Sequence, residues 1–283
     1  MSRVQVRQGE KIYDIPVQPG ESLLSALRRA GFSLPAACGG RGRCGKCRVQ
    51  VDGGPRLACK VFPRGGEQVA LPETVSGVIL GDTLPPPPCQ PGRTGLSAAV
   101  DRGTTTGVVK RYDRAHGAEL AAQRAWNAQA PYGADVISRI QHTLDTPQGF
   151  SELSGRIRGQ IRAMLEAALS AAGRQAEELK EISVAGNTVM ESLFAGKSVA
   201  GMAAAPFRPD SLVFGPEGTG DLNGVPVRLL PCVAGYVGGD ITAGLMASGL
   251  GEKPGEHLFL DVGTNGEMAM GGKGGFSCCA VAS

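Results

Sequence analysis

Four cysteines, Cys38, Cys44, Cys47 and Cys59, constrain this chain more than any other feature. They are spaced C-x5-C-x2-C-x11-C, and the first three lie in Cys38-Gly39-Gly40-Arg41-Gly42-Arg43-Cys44-Gly45-Lys46-Cys47. The glycines keep side chains out of that loop, so backbone N–H groups are free to turn toward sulfur. Four thiolates around such a loop suit a 2Fe-2S cluster, in which each iron takes two cysteine sulfurs. Zinc is the rival, but zinc sites usually pair their cysteines as C-x2-C twice, and only Cys44 and Cys47 form such a pair here.

The remaining cysteines, Cys89, Cys232, Cys278 and Cys279, are too scattered for a disulfide framework, which points to a reducing, cytoplasmic setting. Cys89 reads as an incidental thiol and Cys278-Cys279 as buried strand residues. At 283 residues, 42% hydrophobic and 19% charged, the chain is long enough for two domains with cores of their own. Met1 to Tyr13 lacks the apolar stretch of a signal peptide, and no apolar run reaches membrane-spanning length. Met1 to Glu73 carries 12 Lys and Arg against 6 Asp and Glu, whereas the rest carries 17 against 20. That excess reads either as solubility or as a basic face for an acidic partner. No basic cluster is interleaved with aromatics, so nucleic acid is not an expected partner. His116, His142 and His257 lack metal-ligand spacing.

Alternation predicts strands at Val4 to Val6, Lys11 to Val17, Arg48 to Val51 and Gln68 to Leu71. A helix is expected from Leu23 to Ala30, capped by Ser22 and ended by Gly31. Two strands, a helix, a cysteine loop and more strands resemble the β-grasp ferredoxins, whose plant-type spacing C-x4-C-x2-C…C differs by one residue in the first gap. This sets residues 1–83 apart as a 2Fe-2S ferredoxin-type domain. Residues 84–95, Leu-Pro-Pro-Pro-Pro-Cys-Gln-Pro-Gly-Arg-Thr-Gly, suit neither helix nor central strand and read as a stiff spacer.

Beyond the spacer the pattern turns α/β. Short apolar strands at Ser97 to Val100, Val108 to Tyr112, Glu181 to Ala185, Val227 to Leu230 and His257 to Leu260 alternate with helical stretches. The helices are expected at Tyr132 to Leu144, Ser151 to Ala172, from Thr188 onward with Asn187 as cap, and at Asp240 to Ser248 with Asp240 as cap. Asp101-Arg102-Gly103-Thr104-Thr105-Thr106 shares the pattern Asp-x-Gly-Thr with Asp261-Val262-Gly263-Thr264-Asn265-Gly266-Glu267, each after an apolar strand. An Asp at a strand end followed by such a turn offers a carboxylate for magnesium, and N–H groups and hydroxyls for phosphate. Two hairpins of this kind facing each other would grip a nucleotide through Asp101, Gly103, Thr104, Thr105 and Thr106 on one side. On the other they would use Asp261, Gly263, Thr264, Asn265 and Gly266.

The paired hairpins resemble the actin, sugar-kinase and heat-shock ATPase superfamily. With Asn127 to Ile140, Gly186-Asn187-Thr188-Val189-Met190 and Val237-Gly238-Gly239-Asp240-Ile241-Thr242-Ala243-Gly244, the chain resembles the reductive activators of corrinoid-dependent proteins. The resemblance implies a β-grasp ferredoxin domain followed by an α/β actin-like (ribonuclease-H-like) ATPase domain over 96–283, with the remainder of the second lobe past Ser283. It implies a 2Fe-2S cluster, ATP and Mg2+ as cofactors. The implied function is ATP-dependent reduction of Co(II) to Co(I) in a corrinoid-binding protein or corrinoid methyltransferase, served by a low-potential electron donor. Two other expectations stand beside it: a ferredoxin-type electron carrier whose α/β domain is a docking scaffold without ATPase activity, and a small-molecule kinase with an accessory cluster.

Overall fold

The computed structural model describes residues 2–30, 32, 34, 36, 40, 42–43, 45–72, 92–215, 221–222, 224–263 and 265–281. Cys38, Cys44, Cys89, Thr264 and most of the Pro-rich spacer lie outside the described residues. The chain divides into two compact units, one of Met1–Leu80 with Gln129–Arg139, the other of Gly81–Ala128 with Ile140–Ser283.

In the first unit, strands β1 (Ser2–Gln8) and β2 (Lys11–Val17) form an antiparallel hairpin, followed by helix α1 (Leu23–Arg29). Strands β3 (Arg48–Val51), β4 (Gly54–Leu57) and β5 (Gln68–Ala70) complete a sheet of order β2-β1-β5-β3-β4, with β5 parallel to β1. This is the mixed sheet expected of a β-grasp, with β4 added to the strands read from the sequence. One face alternates into the core: Val4, Val6, Ile15, Val17, Val49 and Val69 pack with Leu23, Leu24 and Leu27 of α1. Ser22 caps α1 as expected, its hydroxyl accepting from the Ser25 N–H at 3.2 Å.

The helix expected from Tyr132 starts only at Val136. A 3-10 turn, Ala130–Tyr132, precedes it, and the buried Arg139 donates to the Gly133 carbonyl at 3.1 Å and to Gln129 Oε1 at 3.2 Å. Asp135 then caps the new start by accepting from the Ser138 N–H at 2.7 Å.

The second unit is built on a six-stranded sheet. Its strands are β6 (Leu96–Arg102), β7 (Thr106–Asp113), β8 (Glu119–Trp126), β9 (Leu179–Gly186), β10 (Asp221–Leu222) and β11 (Val225–Leu229), in the order β10-β11-β9-β6-β7-β8. The first three form an antiparallel meander, and β9 and β11 run parallel to β6 and to each other. Helices α2 (Val136–Asp145), α3 (Gly149–Ala171) and α4 (Thr188–Ala195) connect these strands. Leu153, Ile157, Ile161, Met164, Leu165 and Ala168 form a buried stripe along α3, which lies on β7 and β8 and against α4. The sheet answers with Leu96, Ala98 and Val100, all buried.

Helix α5 (Gly239–Ser248) leads to a three-stranded meander of β12 (His257–Val262), β13 (Gly266–Gly272) and β14 (Gly275–Val281). Phe259, Ala269, Phe276 and Cys278 turn toward Ile241 and Leu245 of α5, while Leu258, Leu260 and Met270 are exposed on the other face. The pleat also corrects the expectation for Cys278-Cys279: the first sits on the inner face and the second is exposed, because neighbours on a strand point to opposite faces. Among the described residues no helix is long and apolar enough to cross a membrane.

These burial patterns predict a contrast in stability. Ile157→Ala removes atoms from a fully buried site and should cost about 2–5 kcal/mol in urea denaturation. Leu260→Ala, at a residue 56% exposed, should stay within about 0.5 kcal/mol of the parent.

Candidate functional sites

Strand β3 begins one residue after Cys47, and the 3-10 turn Ala58–Lys60 holds Cys59. The Ala58 N–H donates to the Cys47 carbonyl at 2.8 Å, which fixes the two cysteines side by side. Both are buried, and their Sγ atoms stand 3.3 Å apart. That is far beyond the ~2.05 Å of a disulfide. It is close to the roughly 3.7 Å edge of a tetrahedron whose thiolates lie ~2.3 Å from a metal. Gly42 and Gly45 take φ of 74° and 67°, which an L side chain resists, and the Lys60 stem crosses the space a Cβ at Gly42 would fill. The Cys47–Cys59 pair therefore fits two ligands on one metal of a thiolate-bound centre.

The second site gathers at the strand ends of the second unit. β6 and β7 close over the three-residue turn Gly103-Thr104-Thr105, and β12 and β13 close over residues 263–265. Asp101 and Asp261 each occupy the penultimate position of their strand. Alternation along β6 sends Arg102 to the opposite face from Asp101, where it is buried and donates to Gln160 Oε1 at 3.0 Å. Arg102 thus lies on the other face from the hairpin's carboxylate, while its charge still acts on Asp101. Burial lowers its pKa to about 10.

Polar side chains pin the first hairpin. Asn127 Nδ2 donates to the Gly103 carbonyl at 3.0 Å, and the Asn127 N–H to the Thr105 carbonyl at 2.8 Å. Asn187 caps α4 by accepting from the Met190 N–H at 3.0 Å, and its Nδ2 donates to Thr104 Oγ1 at 2.8 Å. Thr104 is buried by this contact, whereas Thr105 is exposed and Gly103 and Thr106 are partly accessible.

The start of α5 is pressed against the same region. A Cβ at Gly238 would run into the Gly186 carbonyl and the Asn187 backbone, and one at Gly239 into Glu191 Oε1. Gly238 is the N-cap of α5, so Asp240, expected there, stands instead in the first turn and accepts from the Ile241 N–H at 2.9 Å. Glu191, fully buried in α4, accepts from the Gly186 N–H at 3.0 Å and from the Cys232 thiol at 3.3 Å. Burial is the main cause that pushes Glu191 up to about 8, and burial and then Glu191 raise the Cys232 thiol.

Asp261 pairs directly across the strands with Glu267, on the face turned toward α5. Like charges so placed repel. Burial first, then Asp240 and Asp261, push Glu267 up to about 7. Asp240 is pushed up to about 6, first by burial and further by Asp261 and Asp101. Asp101 is exposed, yet its carboxyl is raised by the surrounding protein and then by Asp261.

Four carboxylates thus share one field, and only Asp101 and Asp261 belong to the repeated motif. Glu267 was visible in the sequence as the end of the second motif, but its cross-strand partner was not. Among the described residues no three His, Cys, Asp or Glu side chains stand close enough to cage a metal unaided. Magnesium takes one or two carboxylates with phosphate oxygens and water.

The raised carboxyls predict how stability follows pH. A carboxyl whose folded pKa exceeds its unfolded value stabilises fully below the unfolded value and loses that contribution as pH rises through the folded one. For Glu267 the window runs from 4.5 to about 7, and for Asp240 from 3.8 to about 6. Across it each group costs at most about 1.4 kcal/mol per pH unit. Glu267→Gln should therefore be more stable than the parent at about pH 8 and lose that advantage toward about pH 5, as read by urea denaturation at both.

Comparison with known proteins agrees with both units. Residues 7–64 match the 2Fe-2S iron-sulfur cluster binding domain, and residues 96–253, more than half of the chain, match the RACo middle region. The corrinoid activation enzyme RamQ of Eubacterium limosum is 29% identical over 185 residues, which cover 61% of this chain and 30% of RamQ. A component of the Na(+)-translocating NADH-quinone reductase of Idiomarina loihiensis is 38% identical over 84 residues, 23% of this chain and 21% of that protein. Among solved structures, the reductive activator for corrinoid,iron-sulfur protein superposes with a TM-score of 0.63 at 24% identity, over 99% of this chain and 63% of that one. The chain spans less than a third of the length of RamQ and under two thirds of the solved activator. With its RACo middle region joined to a 2Fe-2S binding domain, the chain belongs to the RACo middle-region family.

Proposed function

We propose that this chain is an electron carrier joined to an ATPase-like unit, and that it reductively reactivates the Co(II) corrinoid of a partner protein or methyltransferase to Co(I). The observation that carries this reading is the presence, in one chain, of a buried cysteine pair with Sγ atoms 3.3 Å apart and a separate group of carboxylates, Asp101, Asp240, Asp261 and Glu267, that act on one another at two matched hairpins. RamQ and the solved activator, by their names, act on corrinoid systems.

Residues 1–83 are read as the ferredoxin-type domain, 84–95 as the linker and 96–283 as the ATPase-like domain. The sheet order, an antiparallel meander followed by two strands parallel to its first, supports reading the larger unit as one actin-like, ribonuclease-H-like lobe with the start of a second. Cys38, Cys44, Cys47 and Cys59 would ligate the cluster, which when bound supplies a one-electron carrier near ~ −400 mV. Asp101 and Asp261 would hold magnesium, directly or through water. The N–H groups and hydroxyls of Gly103, Thr104, Thr105, Thr106, Gly263, Thr264, Asn265 and Gly266 would face the phosphates of ATP. Reaching Co(I) is uphill from such a carrier, so the reaction needs ATP as well as a low-potential electron donor. A reducing cytoplasm suits a chain whose thiols serve as ligands.

The two halves should fail separately. Asp101→Ala should cut ATP-driven corrinoid reduction by at least about tenfold while leaving the brown colour and chemical reducibility of the protein intact. Cys47→Ser should bleach the protein and keep nucleotide binding. Full ATP-dependent activity in Asp101→Ala would make the hairpin structural and favour the docking-scaffold reading.

A further inference from the structure

The charge of the cluster-bearing unit is not spread over it. Met1 to Glu73 has an excess of six positive charges, and the stretch from Arg41 to Arg64 alone holds seven Lys or Arg against one Asp. The whole excess therefore sits in the 24 residues that carry three of the four cysteines, and the rest of the unit is balanced.

The structure separates the two groups further. Outside that stretch, Arg3 pairs with Asp14 at 2.7 Å and Arg29 with Glu21 at 2.8 Å, while Arg7 and Lys11 are exposed and, among the described residues, form no ion pair. Inside it, Arg43, Lys46, Arg48, Arg56, Lys60 and Arg64 are exposed, and among the described residues none of them forms an ion pair. Of the nearby acids, Asp52 Oδ1 accepts from the Gln68 N–H at 2.9 Å, and Glu67 accepts from the backbone N–H groups of Arg64 and Gly65 at 2.7 and 2.9 Å and feels the Arg64 charge without a close ion pair. Lys60 lies across the cysteine loop at Gly42. Between Lys60 and Arg64, three residues beyond Cys59, Phe62 is 60% exposed. Lys60 and Arg64 thus flank an exposed aromatic beside the cysteine loop, a rim with the make-up of a protein docking site: an apolar anchor with charges that steer encounter.

We propose that this rim, with Phe62 as its anchor, is the docking surface for an acidic electron-carrier protein that serves as the donor. The donor is the partner whose whole business is with the cluster-bearing unit, whereas a corrinoid acceptor must also respond to the nucleotide unit. The step moves one electron: the acidic carrier is oxidised by one, this chain is reduced by one, and no bond or proton changes hands. The proposal rests on reading this unit as a 2Fe-2S carrier.

The test uses the full, cluster-loaded chain and an acidic plant-type ferredoxin as probe. Binding is measured first with both proteins oxidised, so that no electron flows, and then the rate of reduction by the reduced probe. Both should weaken about tenfold or more as ionic strength rises from ~0.01 to ~0.15 M, where the Debye length shrinks from ~30 to ~8 Å. Lys60→Glu with Arg64→Glu should reproduce that loss at low salt, and Phe62→Ser should weaken binding at every salt concentration. Arg3→Glu should change neither. If the rim only offsets the charge of the bound centre, charge reversal shifts the midpoint potential and leaves binding and its salt dependence unchanged, which overturns the proposal. It is also overturned if reversal spares reduction by the probe but stops corrinoid reduction by chemically reduced protein, since the surface then belongs to the acceptor. A chain that takes up no cluster refutes the carrier reading itself and is recognised by its lack of colour before any binding is measured.

Discussion

The larger unit depends on the contact between two turns, Gly186-Asn187 after β9 and Gly238-Gly239 before α5. No side chain fits between them, since a Cβ at either Gly238 or Gly239 would strike backbone or Glu191. The buried Glu191 holds the Gly186 N–H, and Thr188 Oγ1 donates to the Ala234 carbonyl at 2.6 Å, which ties the start of α4 to the segment that leads into α5. This seam sets Asp240 within the field of Asp101 and Asp261. Without it the carboxylates would be ordinary surface groups on separate elements.

Assembling them carries an electrostatic cost. Asp261 and Glu267 face each other across two strands, and burial and mutual repulsion raise Glu267, Asp240 and Asp101 together. A magnesium ion held between those carboxylates and the phosphates would supply positive charge at that place and offset the repulsion. The cluster-bearing unit has the opposite polarity, with its excess of cations in the stretch that carries three of its cysteines. Each unit is thus charged against the sign of what it is proposed to bind.

Much of this could be read from residue order. The strands at Val4 and Lys11 and the Ser22 and Asn187 caps rest on local rules, and local rules survive in the folded chain. What the sequence hid was set by distance. β8 reads as a mixed polar stretch because it is an edge strand with little buried area. The helix near Tyr132 starts late because Arg139 takes the Gly133 carbonyl. Asp240 yields the cap to Gly238 because only glycine fits against Asn187. Glu191 and Glu267 gain part of their environments from residues far along the chain, Cys232 for the first and Asp240 for the second. Arg102, beside the motif in sequence, is sent by the pleat to the other face from Asp101.

Whether the crowded carboxylates seat a magnesium-bound nucleotide is tested most directly by the unfolding free energy of the protein with ATP alone, with magnesium alone and with both. Magnesium with ATP at a free concentration 100-fold above Kd should stabilise the protein by about 2.7 kcal/mol, and either component alone by much less. Equal stabilisation by ATP in the presence of a chelator, or none from the pair, would contradict that role.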